Sequence, residues 1–189
     1  MIRIGILGDI GSGKSHVAKQ FGYPVFNADL EVEKLYKKNR KCYRKLQKAL
    51  PYYIFSFPIK KAEISKALMD SSRNLLKIIK IVHPEVRLSM YRFLKKNKNK
   101  KAVVLDIPLL LENKINRKKD ILVFIDANKK EIDKRLKKRK NFHSQIFKKL
   151  KKLQLPVEIK KKKSDYIIKN NFNNYLLKKN VKKVLRKIL

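Results

Sequence analysis

At 189 residues with one cysteine, Cys42, the chain is long enough to bury a single good core with a small satellite, and it cannot form an internal disulfide. Against 15 Asp plus Glu stand 51 Lys plus Arg, a formal net charge of +36 that would attract any polyanion. No apolar run is long enough for a membrane helix, and Arg3 and a glycine loop interrupt the start before a signal peptide could form; a cytoplasmic protein with no membrane partner is expected.

In chain order, the short apolar run Ile2 to Leu7 predicts a buried strand, and His16 to Phe21 predicts a helix. Between them lies "GDIGSGKS", residues 8 to 15, which holds three of the chain's five glycines. A second strand is predicted over Tyr23 to Asn27. From Leu30 to Lys100 only helical patterns occur, such as "EVEKLYKKNRKCYRKLQKAL" and "SSRNLLKIIKIV". That stretch exceeds one crossover helix and predicts a helical subdomain. In "IVHPEVR" a proline disfavours helix in the residue before it, so one helix is expected to end at His83 and another to begin. Strands follow over Ala102 to Ile107, Ile121 to Asp126 and Tyr166 to Lys169, with a lysine-dense helical segment, 137–163, ahead of the last. Strands alternating with helices imply an α/β fold: a parallel five-stranded sheet flanked by helices. The expected division is a core of residues 1–29 and 101–189, with a lid at about 137–163, and a helical insertion over 30–100.

The spacing Gly8, four residues, Gly13, Lys14, Ser15 fits the P-loop pattern at every fixed position, and it falls between a strand and a helix. Glycine lets backbone N–H groups turn inward around a phosphate without a Cβ in the way. Lys14 would reach the β and γ phosphates, and the Ser15 hydroxyl would meet Mg²⁺. Two acids end strands at what should be the same sheet rim. Asp29, in "PVFNADL", either serves the chemistry there or caps the following helix. Asp106, in "AVVLDIPLLLE", either faces Mg²⁺, through water or directly, or opens a turn before Pro108. Cys42 reads as a lone surface or half-buried thiol.

Taken together these motifs resemble the dephospho-CoA kinase family, P-loop kinases related in fold to the nucleoside monophosphate kinases. The family's "TGGIGSGKST" is matched by "LGDIGSGKSH", its "DAD" by Asn27 to Asp29, and its "HP" by His83 and Pro84. Its "PLLfE" is matched by Pro108 to Glu112, its lid by "KRLKKR", and its last motifs by "QLP", a lysine and "SDYIIKNN". The resemblance covers nearly the whole chain. It implies transfer of the ATP γ-phosphoryl group to the ribose 3′-hydroxyl of dephospho-CoA, with ATP and Mg²⁺ required. It further implies nucleotide contacts from Gly8, Ile10, Gly11, Ser12, Gly13, Lys14, Ser15 and His16. Arg139 and Lys160 would act as lid cations, and Asn170 would lie near the base. The acceptor would meet Asp29, Lys61, His83, Asp106, Pro108 and Leu109, with Asp29, Lys14 and Arg139 carrying catalysis. Arg135 lies four residues before Arg139 and Glu131 four before Arg135, one helical face that is otherwise a solvated salt-bridged surface.

Three residues depart from the family pattern. Asn27 replaces an acid, His16 a threonine, and Lys61 stands about where an arginine fork would be. The rivals are a P-loop kinase for another small acceptor, such as a nucleoside monophosphate, and a basic nucleic-acid-binding P-loop protein. Against the latter, the basic excess is 41 Lys and only 10 Arg, scattered rather than patched, and not interleaved with aromatic residues. Lys, Asn and Ile share A/T-rich codons, so compositional drift accounts for the charge. A specific nucleic acid is therefore not expected, and a monomer or weak homo-oligomer is.

Overall fold

A computed structural model describes residues 1–138 and 143–189. The strands β1 (Ile2–Gly8), β2 (Val25–Asn27), β3 (Ala102–Asp106), β4 (Ile121–Asp126) and β5 (Tyr166–Lys169) form one five-stranded sheet in the order β2-β3-β1-β4-β5. Every pairing is parallel. The strands fall where the apolar runs predict them, within two residues at each end.

The chain divides into two compact units, residues 1–27, 97–142 and 150–189 in the first, and 28–96 with 143–149 in the second. In the sheet unit β1 is central and buried on both faces, which is why it reads as a continuous apolar run rather than an alternating one. Ile4, Ile6, Val104, Val123 and Ile125 fill the middle of the sheet. Val17, Ala18 and Phe21 from α1 (Lys14–Gln20) and its C-cap, and Leu177 and Val181 from α9 (Asn174–Ile188), close over them. Because β3 and β4 flank β1 on opposite sides, the loop leaving β1 sits at the topological switch point, the usual ligand crevice of an open α/β sheet. At the opposite end, Arg3 and Asp120 form a buried ion pair of 3.0 Å.

The helical unit holds α2 (Ala28–Lys38), α3 (Arg40–Ala49), α4 (Lys61–Asp70) and α5 (Ser72–Lys96). Its core joins Leu35, Leu46, Leu50, Ile54, Ile64, Ile78 and Val82. The pattern from Glu31 to Leu50 is broken at Asn39, whose side chain caps α3 by accepting from Cys42 N–H at 2.8 Å. Cys42 lies in this core, 0 % exposed, which corrects the surface or half-buried reading. Burial is the main reason its thiol is pushed up to about 11.

The expected helix break at His83 does not occur: α5 runs through Pro84 as one helix of 25 residues. Pro84 removes one main-chain donor, a local cost. On the buried side, Ile78 and Val82 before it and Val86 after it pack in the same core. That continuous apolar face outweighs the proline's preference. The lysine-dense segment supplies α7 (Ser144–Lys152) and α8 (Val157–Lys162), after α6 (Lys129–Lys137).

Candidate active site

The loop between β1 and α1 is shaped for close approach. Gly13, the N-cap of α1, has φ 88°, and a Cβ there would stand 2.6 Å from Asn170 Nδ2. On Gly8 a Cβ would meet Ser12 Oγ at 2.7 Å and Ile125 O at 3.0 Å. These positions demand glycine. Lys14 folds back over the loop, its ammonium donating to Asp9 O at 2.7 Å and to Gly8 O at 3.4 Å. Ser12 is wholly buried, and its Oγ has no hydrogen-bond partner among the described residues. An orphaned hydroxyl in a loop closed to any added Cβ fits an anion nest. The residues present therefore fit a nucleotide triphosphate, with Lys14 and the loop N–H groups to hold it.

Ser15, Asn27 and Asp106 come together beside this loop. Register pairs Asn27 with Asp106 at the ends of β2 and β3. Asn27 Nδ2 donates to Asp106 Oδ2, and lies 3.3 Å from Ser15 Oγ. A hydroxyl and a carboxylate form an all-oxygen donor set, the kind Mg²⁺ takes when substrate phosphates and water complete its shell. No cluster of three or more His, Cys, Asp or Glu suited to a metal occurs among the described residues. Here Asn27 is more than a lost acid: it hydrogen-bonds Asp106 on the neighbouring strand.

Other predicted residues take different places. Asn170 is buried behind the loop, donating to Ser12 O at 2.9 Å and accepting from Phe172 N–H at 3.0 Å. Both ends of its carboxamide are engaged with protein, and it braces the loop. His16 Nε2 pairs with Asn174 Oδ1 at 2.9 Å. Ile10 N–H already donates to Asp9 Oδ1 at 2.7 Å. Lys160, expected as a second lid cation, is buried in an ion pair. It is 1 % exposed, with Nζ 2.9 Å from Glu112 Oε1 and 3.2 Å from Gln154 Oε1. Glu112 also accepts from Leu155 N–H at 2.9 Å, so Lys160 locks the turn after β3 to the segment before α8. Pro108 and Leu109 lie half-buried in that turn. Arg139 lies outside the described residues. Arg135, exposed on α6, stacks its guanidinium over Phe172, 4.3 Å from the ring centroid.

In the helical unit, Asp29 is exposed in the first turn of α2, and Lys61 is exposed at the start of α4. His83 lines a groove of about 470 Å³ along one face of α5, with Lys80, Arg87, Leu88 and Tyr91 beside it. The spacing 80, 83, 87 and 91 puts these residues on one stripe of the helix. Burial, and then the Arg87 charge, hold the His83 imidazole below its usual range of 6.5. The folded protein thus binds its proton less well than the unfolded chain. The stability associated with neutral His83 is intact above pH 6.5 and is lost as pH falls from there through the folded pKa. An NMR titration should find the His83 ring neutral at pH 7 and its midpoint below 6.5; a midpoint at or above that value would contradict the burial.

The sequence reading passed over Lys80 and Arg87, for which helical spacing from His83 was the available signal. It also passed over Asp9 and Lys151, an ion pair at the loop. The signal there was Asp9 itself, standing where the quoted family motif has glycine.

Known proteins resemble the chain over most of its length. The family model described as dephospho-CoA kinase matches residues 2–175. A dephospho-CoA kinase of Wolbachia from Brugia malayi is 35 % identical over 170 residues, covering 87 % of each chain. That of Bacillus thuringiensis is 30 % identical, covering 97 % of this chain and 96 % of its own. Among solved structures, TT1252 of Thermus thermophilus superposes with a TM-score of 0.80 at 25 % identity, covering 100 % of this chain and 97 % of its own. The dephospho-CoA kinase of Campylobacter jejuni (TM-score 0.64, 21 % identity, covering 98 % and 96 %) shares the fold. The phosphate loop between β1 and α1, the strand-end acid beside it and the match across nearly the whole chain agree: the chain belongs to the dephospho-CoA kinase family, a family of ATP-dependent P-loop kinases.

Proposed function

We infer that the chain transfers the γ-phosphoryl group of ATP to the ribose 3′-hydroxyl of dephospho-CoA, giving CoA and ADP. The family match over residues 2–175 carries the reaction. The observation that carries its mechanics is the loop: glycines that admit no Cβ, an orphaned Ser12 hydroxyl, and Lys14 resting on the loop's own carbonyls. Phosphoryl transfer asks mainly for positioning and charge neutralisation, and these residues supply both. Lys14 exchanges carbonyl partners for phosphate oxygens. Ser15 and Asp106 would hold Mg²⁺, which when bound neutralises charge on the β and γ phosphates. Asn170 fixes the loop through Ser12 O.

Asp29 accepts a hydrogen bond from the attacking hydroxyl and takes its proton as the bond to phosphorus forms. Arg139 supplies a lid cation, and closure of the lid excludes water as a competing acceptor. The α5 groove, apolar with His83, Lys80 and Arg87 along it, suits part of an elongated anionic acceptor, and Lys61 adds a point charge in the same unit. A neutral His83 donates or accepts one hydrogen bond there without adding charge.

The acceptor is tested directly. Purified protein with ATP and Mg²⁺ should phosphorylate dephospho-CoA in preference to a panel of nucleoside monophosphates. Preference for a nucleotide would overturn the acceptor assignment and leave a P-loop kinase of another specificity. Tight, steeply salt-dependent binding of RNA would favour the nucleic-acid reading instead.

A further inference from the structure

The phosphate loop of this chain contains an acid. Asp9 stands between Gly8 and Ile10, where a carboxylate adds negative charge beside the place a polyanion must occupy. Its surroundings show how that charge is met. Asp9 Oδ1 accepts from Ile10 N–H at 2.7 Å and forms an ion pair with the ammonium of Lys151 on α7. Its main-chain oxygen accepts from Lys14 Nζ at 2.7 Å. One residue therefore holds two ammonium groups, Lys14 by the carbonyl and Lys151 by the carboxylate. The side chains of Lys151 and Asp9 are only 40 % and 25 % exposed, so water and salt screen the pair less than an open surface bridge.

We propose that Lys151 is an affinity-determining residue for the nucleotide and acts through Asp9: it neutralises the carboxylate and so lets an acid-bearing loop accept a triphosphate. This rests on the nucleotide reading given above. Among these three side chains, Lys14 and Lys151 against Asp9 leave one net positive charge. Without Lys151 nothing remains. Removing Asp9 as well leaves Lys14 alone, and the original balance returns. A lysine that met phosphate directly would behave otherwise, because its loss could not be offset at Asp9.

Calorimetric titration with ATP and Mg²⁺, without acceptor, separates the two. Lys151→Met should weaken ATP binding about tenfold, equivalent to about 1.4 kcal/mol. The double variant Asp9→Asn with Lys151→Met should return to within about threefold of the parent, and Lys151→Arg should stay within the same range. The single-variant loss should shrink as salt rises. Melting temperatures of all three variants show whether folding has changed, and Lys151→Arg keeps the test open if the methionine variant unfolds. Persistence of the loss in the double variant, or parental affinity in Lys151→Met, would overturn the proposal. A parent chain that binds no ATP would overturn the nucleotide reading and this inference with it. Because no acceptor is present, a wrong acceptor assignment leaves the ATP titration unaffected.

Discussion

The Asp29→Asn variant is expected to turn over dephospho-CoA about a thousandfold more slowly than the parent, the range in which a positioned general base contributes. Its affinity for ATP should stay within about threefold, a difference below 1 kcal/mol. Two features make the experiment clean. Asp29 is exposed in the first turn of α2, at the surface rather than in the core. Asparagine keeps the shape and the hydrogen-bonding oxygen, and removes only basicity and the favourable placement of an anion at a helix start. Steady-state rates with saturating ATP, beside a direct ATP titration, provide both readings. Parallel loss of turnover and ATP affinity would remove Asp29 from the role of base.

The second large effect concerns stability. Glu112→Ala leaves the Lys160 ammonium buried with only Gln154 Oε1 near it among the described residues, and takes the acceptor from Leu155 N–H. Breaking a buried ion pair from one side costs about 3 kcal/mol, which for a domain of this size lowers the melting temperature by roughly 10 °C. Replacing both members, Glu112→Leu with Lys160→Met, removes the stranded charge and should recover most of that loss. Differential scanning calorimetry of the three proteins checks this. If Lys160→Met alone proved harmless to folding yet sharply weakened ATP binding, Lys160 would be a nucleotide contact and not a lock.

What could be read from the sequence follows the range of the forces involved. β1, β3 and β4 announced themselves because a strand buried on both faces must be apolar throughout, and Asp106 marked a strand end because it breaks such a run. The glycine loop was legible for a similar reason: residues that need positive φ and room for a phosphate have few substitutes. The helix through His83 and Pro84 was not legible. The rule against helix before proline is local, whereas the contacts that override it come from Leu46, Ile54 and Ile64, distant in sequence. Lys160 was hidden by the run of lysines it opens. Nothing in "KKKK" says which one turns inward, and only Glu112, 48 positions earlier, decides it. Asp9 was visible but silent, since its meaning depends on Lys151 arriving from a helix far along the chain.

Pro84 leaves a mark on the groove it helps to line. A helix flank is ordinarily closed electrically, each carbonyl engaged by the amide one turn on. With no amide at 84, the oxygen of Lys80 has no helical donor one turn on. A molecule lying along α5 would gain most by presenting an N–H at that level, with its anionic end toward Arg87.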